Sequence, residues 1–262
     1  MDEGGAGCEA SATMTERSRT LTGKIARERI RLFEVPRFSR EMIDAYLALT
    51  DLTATLSDAM DEIGIAGAVP AAILGPTLPE RRIAGPALTV RNIALVNSPT
   101  SDARQRISRQ ADIEAHNLAS PGDVLVIEGV AGVSSLGGNS ATLGHRQGEA
   151  GAIVDGGIRD TATSRAIGFP IWSRGATPLT GKWRLETVAI NGPVHIAGVT
   201  VNVGDLVVAD ENGVCFVPRD KAGFILARAQ QLSAGENERS RDVAAGVSIV
   251  DIARKRYFAP VA

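Results

Sequence analysis

"GAIVDGGIRD" occupies residues 151–160. Gly151–Val154 is an apolar run that reads as a buried strand, and the double glycine Gly156–Gly157 ends it. "TATSRAIG" (161–168) then has the composition of a short helix. A strand that empties through glycine into a helix is a building unit of an α/β fold. Between the two elements stand Arg159 and Asp160. Read locally, Asp160 is well placed as the N-cap of the helix and Arg159 is a surface residue. Read as a site, Arg159 offers a planar fork to a carboxylate. Asp160 is a hard oxygen ligand for Mg²⁺ or Mn²⁺, ions that often take only one or two protein carboxylates.

"SSLGGNSATLGHRQGEAG" (134–151) follows the same plan, with Gly137 and Gly138 opening a helix. Such a turn exposes backbone N–H groups at the positive end of a helix dipole, a ready anion site. Ligands of α/β sheets sit at the carboxyl ends of strands, so the two strand ends are expected to face one pocket. Further out, Ser39 caps a helix over 39–49, and "LTATLSDAMDEIG" (52–64) is a second helix stopped by Gly64. Residues 83–95, 124–130 and 170–175 read as strands, and "SRQADIEAHNLA" (108–119) as a helix. From 185 to 217 strand and turn alternate, and 219–245 is a long polar-faced helix. The expected organisation is an N-terminal arm over 1–40, partly disordered, one domain over 41–250, and a tail over 251–262. The arginine excess of 24–40 suits a solvated arm or one that reaches a neighbouring subunit.

With 262 residues and 44% hydrophobic composition the chain fills one core but falls short of two full domains. A net charge of −2 lacks the basic excess of a nucleic-acid binder. Two cysteines, Cys8 and Cys215, make no disulfide framework and fit a reducing cytoplasm. No apolar run approaches the ~18–20 residues of a membrane span, and the first twenty residues hold no secretory signal. The lysines, at 24, 182, 221 and 255, sit in no plainly apolar strand, which disfavours Schiff-base chemistry. His116, His145 and His195 have no metal-ligand spacing; His145 is close enough to the glycine turn to reach a pocket, but a surface role is preferred.

Twenty residues separate Gly138 from Arg159, giving G-x20-R-D. Together with "LSDAMDEIG" (56–64), "GPALTV" (85–90), "PGDVLVIEG" (121–129), "FPIWSRGATP" (169–178) and "GDLVVADENGVCFVP" (204–218), in that order, the chain resembles a known family. It contains the regulator of ribonuclease E activity A and the 4-hydroxy-4-methyl-2-oxoglutarate/4-carboxy-4-hydroxy-2-oxoadipate aldolases. The likeness spans roughly residues 50–250. It implies an α/β fold, a swivelling β/β/α domain here carrying an N-terminal helical extension and a C-terminal helix. It also implies a homotrimer or a doubled, hexameric ring. For the aldolase branch it implies cleavage of a 4-hydroxy-2-oxo acid, with pyruvate released through a metal-stabilised enolate, and decarboxylation of oxaloacetate. In that branch Arg159 binds substrate oxygen, Asp160 holds Mg²⁺ (or Mn²⁺), and the turn amides of Gly138, Asn139 and Ser140 receive a carboxylate. Glu236 or Glu238 would reach the site from a neighbouring subunit. Two positions depart from the pattern: Gly138 stands where an acid often begins the interval, and Thr163 where many members carry an acid. The runner-up is a non-catalytic, protein-binding regulator like the family's namesake. The small-molecule reading expects neither nucleic acid nor membrane as partner and a cytoplasmic location.

Overall fold

The computed structural model describes residues 20–258; Cys8 and the expected mobility of the first nineteen residues lie outside them. The chain runs α1 (Arg40–Leu47), α2 (Leu52–Asp61), β1 (Ala68–Pro70), β2 (Gly75–Pro76), β3 (Ile83–Ala94), α3 (Pro99–Gln105), α4 (Asp112–Leu118) and β4 (Val124–Glu128). It continues through β5 (Ser134–Leu136), α5 (Gly138–Gln147), β6 (Gly151–Asp155), β7 (Gly157–Ile158), α6 (Thr161–Ala166) and β8 (Ile171–Ser173). Then come β9 (Leu185–Ile190), β10 (Val194–Ile196), β11 (Val199–Val201), β12 (Leu206–Asp210), β13 (Gly213–Val217), α7 (Ala222–Ala244) and α8 (Ile249–Arg254). This is the mixed α/β architecture expected from the sequence.

β3 is the hinge of the main sheet. Its first residues pair antiparallel with β12; from Ala87 onward it pairs parallel with β4, and its end pairs antiparallel with β9. The parallel set continues β4–β6–β8. Such a strand is covered on both faces, and Ile83–Val90 are all buried. A Cβ at Gly85 would collide with the carbonyl oxygen of Gly122, so glycine there lets β3 close on the turn that leads into β4. Within β4 the strand period of two divides the core. Leu125 and Ile127 join the cluster holding Leu118 of α4 and Ala141 of α5, while Val124 and Val126 pack with Ile153 and Trp172.

A third apolar cluster lies under α1, α2 and α7. Leu52, Leu56 and Met60 meet Ala222, Ile225 and Ala229 there. Ser39 caps α1 as expected, accepting from Met42 N–H. Arg228 of α7 grips Glu62 through two bonds of 2.5 and 2.6 Å, and Tyr46 Oη donates to Ala222 O at 2.7 Å.

The described part of the N-terminal arm is largely exposed but anchored to the body of its own chain at a few points. Ile25, Ile30 and Val35 are buried in the same cluster as Leu88. Thr22 donates its N–H and hydroxyl to Glu114, and Arg29 pairs with Glu186 at 2.6 Å. Arg29 and Arg37 find acids on the body, so the arm acts as a strap. Two further differences are local. The segment read as a helix over 108–119 begins only at Asp112, because Arg109 is bridged to Glu186. The tail expected from 251 contains the end of α8, capped by Ser248. Among the described residues no helix is long and apolar enough to cross a membrane.

Candidate active site

The two glycine-framed strand ends meet through a ladder of two short strands. β5 pairs parallel with β7, Ser134 opposite Gly157 and Leu136 opposite Ile158. Arg159 N–H then donates to Leu136 O at 3.1 Å. The chain after β8 closes over this ladder: Thr180 bridges Ser134 and Ala176 bridges Ile158. The pair sets "LGGNS" beside "GIRD", so the start of α5 faces the start of α6. A Cβ on Gly137 would lie 3.1 Å from Asp160 Oδ2 and 3.2 Å from Arg159 Nε, and one on Gly138 would lie 3.1 Å from Asp160 Cβ. A side chain at either position would press on these neighbours by a few tenths of an ångström. Gly138 does not have positive φ.

Asp160 occupies the N-cap position of α6, yet its side chain makes no cap hydrogen bond. The residue is left-handed, with φ 56° and ψ 39°, a conformation Asp tolerates better than most residues. The carboxylate is thereby turned away from its own helix and toward α5, where Oδ2 accepts from Gly138 N–H at 3.0 Å. Arg159 Nε lies 3.4 Å from the same oxygen. An anion at the start of a helix is favoured by the dipole, so α5 holds the charge that the local pattern assigned to α6.

These residues open on a cleft of about 240 Å³ lined by Asn139, Ser140, Arg159 and Asp160, with Asp112, Thr163 and Lys182 around them. One of the first α5 amides, Gly138, is engaged by Asp160; those of Asn139 and Ser140 make no hydrogen bond among the described residues. The cleft therefore combines two free donors, a guanidinium and a half-exposed carboxylate. Of the three residues expected to receive a carboxylate, Gly138 has its N–H engaged by Asp160. Among the described residues no three His, Cys, Asp or Glu cluster as a metal cage. One carboxylate with Oδ1 uncommitted suits a Mg²⁺-type ion that keeps most of its waters, so the donor set fits a thinly held divalent cation.

Other candidates are placed as follows. Glu236 pairs with Arg239 at 3.8 Å and Glu238 with Lys255 at 2.7 Å on α7; neither lines the cleft of its own chain. His145 is exposed and does not line it. Cys215 is buried, which pushes its thiol up to about 12, so it is inert. Sequence reasoning did not place Asp112 or Lys182 at the cleft. Gln110 donates to Ser135 O at 2.7 Å and draws the start of α4 to the cleft, and the loop after β8 brings exposed Lys182 to its rim. No local motif marked either residue.

Residues 53–216 match the model of the RraA-like family, described as Aldolase/RraA. The chain belongs to this family. A Halalkalibacterium halodurans relative named "Putative 4-hydroxy-4-methyl-2-oxoglutarate aldolase" is 34% identical over 53% of this chain and 67% of its own length. Legionella pneumophila Protein DlpA is 28% identical over 78% of this chain, which spans only 32% of DlpA. The crystal structure of Streptomyces coelicolor RraAS2, described as an unusual member of the RNase ES inhibitor RraA protein family, superposes with a TM-score of 0.65. It is 30% identical and covers 79% of this chain and 98% of RraAS2. In this RraA-like chain Gly138 lies against both Asp160 and Thr163: a Cβ there would lie 3.1 Å from Asp160 Cβ and 3.2 Å from Thr163 Oγ1.

Proposed function

We propose that this RraA-like chain is a divalent-metal-dependent lyase that cleaves a 4-hydroxy-2-oxo acid and releases pyruvate, with oxaloacetate decarboxylation as a second activity. The observation that carries the reading is the turned Asp160, which leaves its cap position to stand beside Arg159 and two free amides in one cleft.

Arg159 binds the 2-oxo acid carboxylate in a bidentate fork, and the amides of Asn139 and Ser140 take further oxygen at the start of α5. Asp160 holds Mg²⁺ or Mn²⁺, which when bound supplies Lewis-acid polarisation of the 2-oxo group. As the C–C bond breaks, charge moves to the keto oxygen. The guanidinium and the α5 dipole stabilise that charge without reorganising. Lys182 at the rim is exposed, without the apolar burial that activates a Schiff-base lysine.

By family resemblance we further propose assembly as a homotrimer or hexamer, with Glu236 or Glu238 supplied across the interface. A regulator that binds a ribonuclease is the competing reading, favoured by the description of RraAS2. The complete Arg-Asp cleft supports the enzyme. The test follows pyruvate from a panel of 4-hydroxy-2-oxo acids and from oxaloacetate, with Mg²⁺, Mn²⁺ or EDTA. Release that stops with EDTA and returns with metal is expected. Turnover that survives exhaustive chelation, or covalent trapping by borohydride at Lys182, would refute it.

A further inference from the structure

A second polar constellation reaches the same cleft from inside the protein. His116 of α4 stands between two partners: Nδ1 is 2.7 Å from Glu149 Oε1, and Nε2 is 2.8 Å from Ser140 Oγ. Relative exposures are 5% for Ser140, 1% for His116 and 6% for Glu149. Ser140 lines the cleft, while His116 and Glu149 do not. The three residues thus form a hydrogen-bonded chain from a buried carboxylate to the cleft wall.

A purely structural clamp accounts for this poorly. The chain sits beside Ala115, Leu118 and Ala141 of the apolar core, where three apolar side chains would fill the space without burying a carboxylate. Nor is the network fully satisfied. Glu149 Oε2 has no hydrogen-bond partner among the described residues. It packs against Gly144, where a Cβ would lie 2.6 Å from that oxygen. A half-satisfied buried network costs stability. The order hydroxyl, imidazole, carboxylate is that of an activated hydroxyl with its base and the group that orients the base.

We propose that Ser140, His116 and Glu149 are the proton relay of the cleft, with Ser140 Oγ as the group that exchanges a proton with substrate. The proposal rests on the lyase reading, and it supplies the acid–base function for which Gly138 offers no side chain. In cleavage, the substrate's 4-hydroxyl gives its proton to Ser140 Oγ as the Ser140 proton passes to His116 Nε2. The C3–C4 bond breaks, its electron pair enters the enolate of pyruvate, and C4 leaves as a carbonyl. Ser140 then protonates C3 and recovers its proton from His116. The balance closes with no external acid or oxidant. Glu149 holds the imidazole with Nε2 toward Ser140 and stabilises the imidazolium, so it and His116 are positioning residues.

The test compares wild type with Ser140→Ala in three assays: cleavage of 4-hydroxy-4-methyl-2-oxoglutarate, decarboxylation of oxaloacetate, and exchange of pyruvate methyl hydrogens in D₂O by NMR. Ser140→Ala should lower kcat for cleavage and the exchange rate by roughly 10²–10⁴-fold, with KM changed by less than about threefold. Decarboxylation needs Ser140 only to protonate C3 and has no hydroxyl proton to remove, so its loss should be clearly smaller than that of cleavage. Ser140→Thr should restore part of the lost kcat. If Ser140→Ala does not fold, Glu149→Gln, which keeps the side-chain shape, carries the same comparison. Equal losses in cleavage and decarboxylation, or no loss, overturn the relay and leave the lyase reading standing. A wild-type protein inactive in all three assays overturns both.

Discussion

Two arginine–aspartate pairs stand at opposite ends of the parallel strands. Arg37–Asp123 lies just before β4, and Arg159–Asp160 just beyond β7. The Asp123 side chain is 1% exposed. It is bound by Arg37 and by Ser120 N–H at 2.7 Å. Burial pushes its carboxyl up to about 6 against the opposing pull of those donors, with nearby Glu149 adding to the rise. The Asp160 side chain is 48% exposed, lies 3.4 Å from its arginine, and spends one oxygen on one amide. The first pair is consumed in fastening the arm to the turn that starts a strand. The second keeps donor and acceptor capacity facing solvent. The same two residue types are thus structural or available according to how much of their hydrogen bonding the fold already uses.

That contrast breaks most sharply at Asp160. Asp160→Asn should lower turnover by roughly 10³-fold, about 4 kcal/mol. Asn tolerates the left-handed conformation and can still accept from Gly138 N–H, so the variant should melt near the wild-type temperature. Normal turnover by such a folded variant would return Asp160 to a structural role.

At the other pair the effect should fall on stability and depend on pH. Because the folded carboxyl of Asp123 sits above its ordinary value, the folded state binds that proton more readily between about pH 4 and 6. Stability from this group therefore falls as pH rises through that window. Arg37→Gln should cost about 1–3 kcal/mol at pH 8, where the buried carboxylate is charged and loses its partner. It should cost clearly less at pH 5, where the carboxyl is largely protonated. Melting curves at the two pH values check this; an equal cost at both would mean that Asp123 is not the group Arg37 serves.

The smallest effect is expected at Arg159→Lys. A point charge replaces a bidentate fork, so KM should rise about tenfold, near 1.4 kcal/mol, with kcat less affected. Steady-state kinetics on the preferred 2-oxo acid reads the split, and an unchanged KM would remove Arg159 from carboxylate binding.

Much of the scaffold was legible because its signals are short-range. Ser39 announces α1, and apolar period marks β3, β4 and β6. β5 and β7 were not legible. They are three and two residues long and owe their existence to each other across some twenty residues of sequence.

By itself the sequence determined the longer strands and helices in their order, the two glycine-framed strand ends and the charges at one of them. Each of these rests on residues within a few positions of one another. Only the tertiary structure decided that Asp160 serves α5 instead of capping α6, that the arginine-rich arm folds onto its own chain, and that Lys182 and Asp112 border the cleft. It also decided that His116 links Glu149 to Ser140. The physical reason is that hydrogen-bond partners and burial are set by neighbours in space. For Asp160 and Gly138 that neighbour is 22 residues away, and for His116 and Glu149 it is 33.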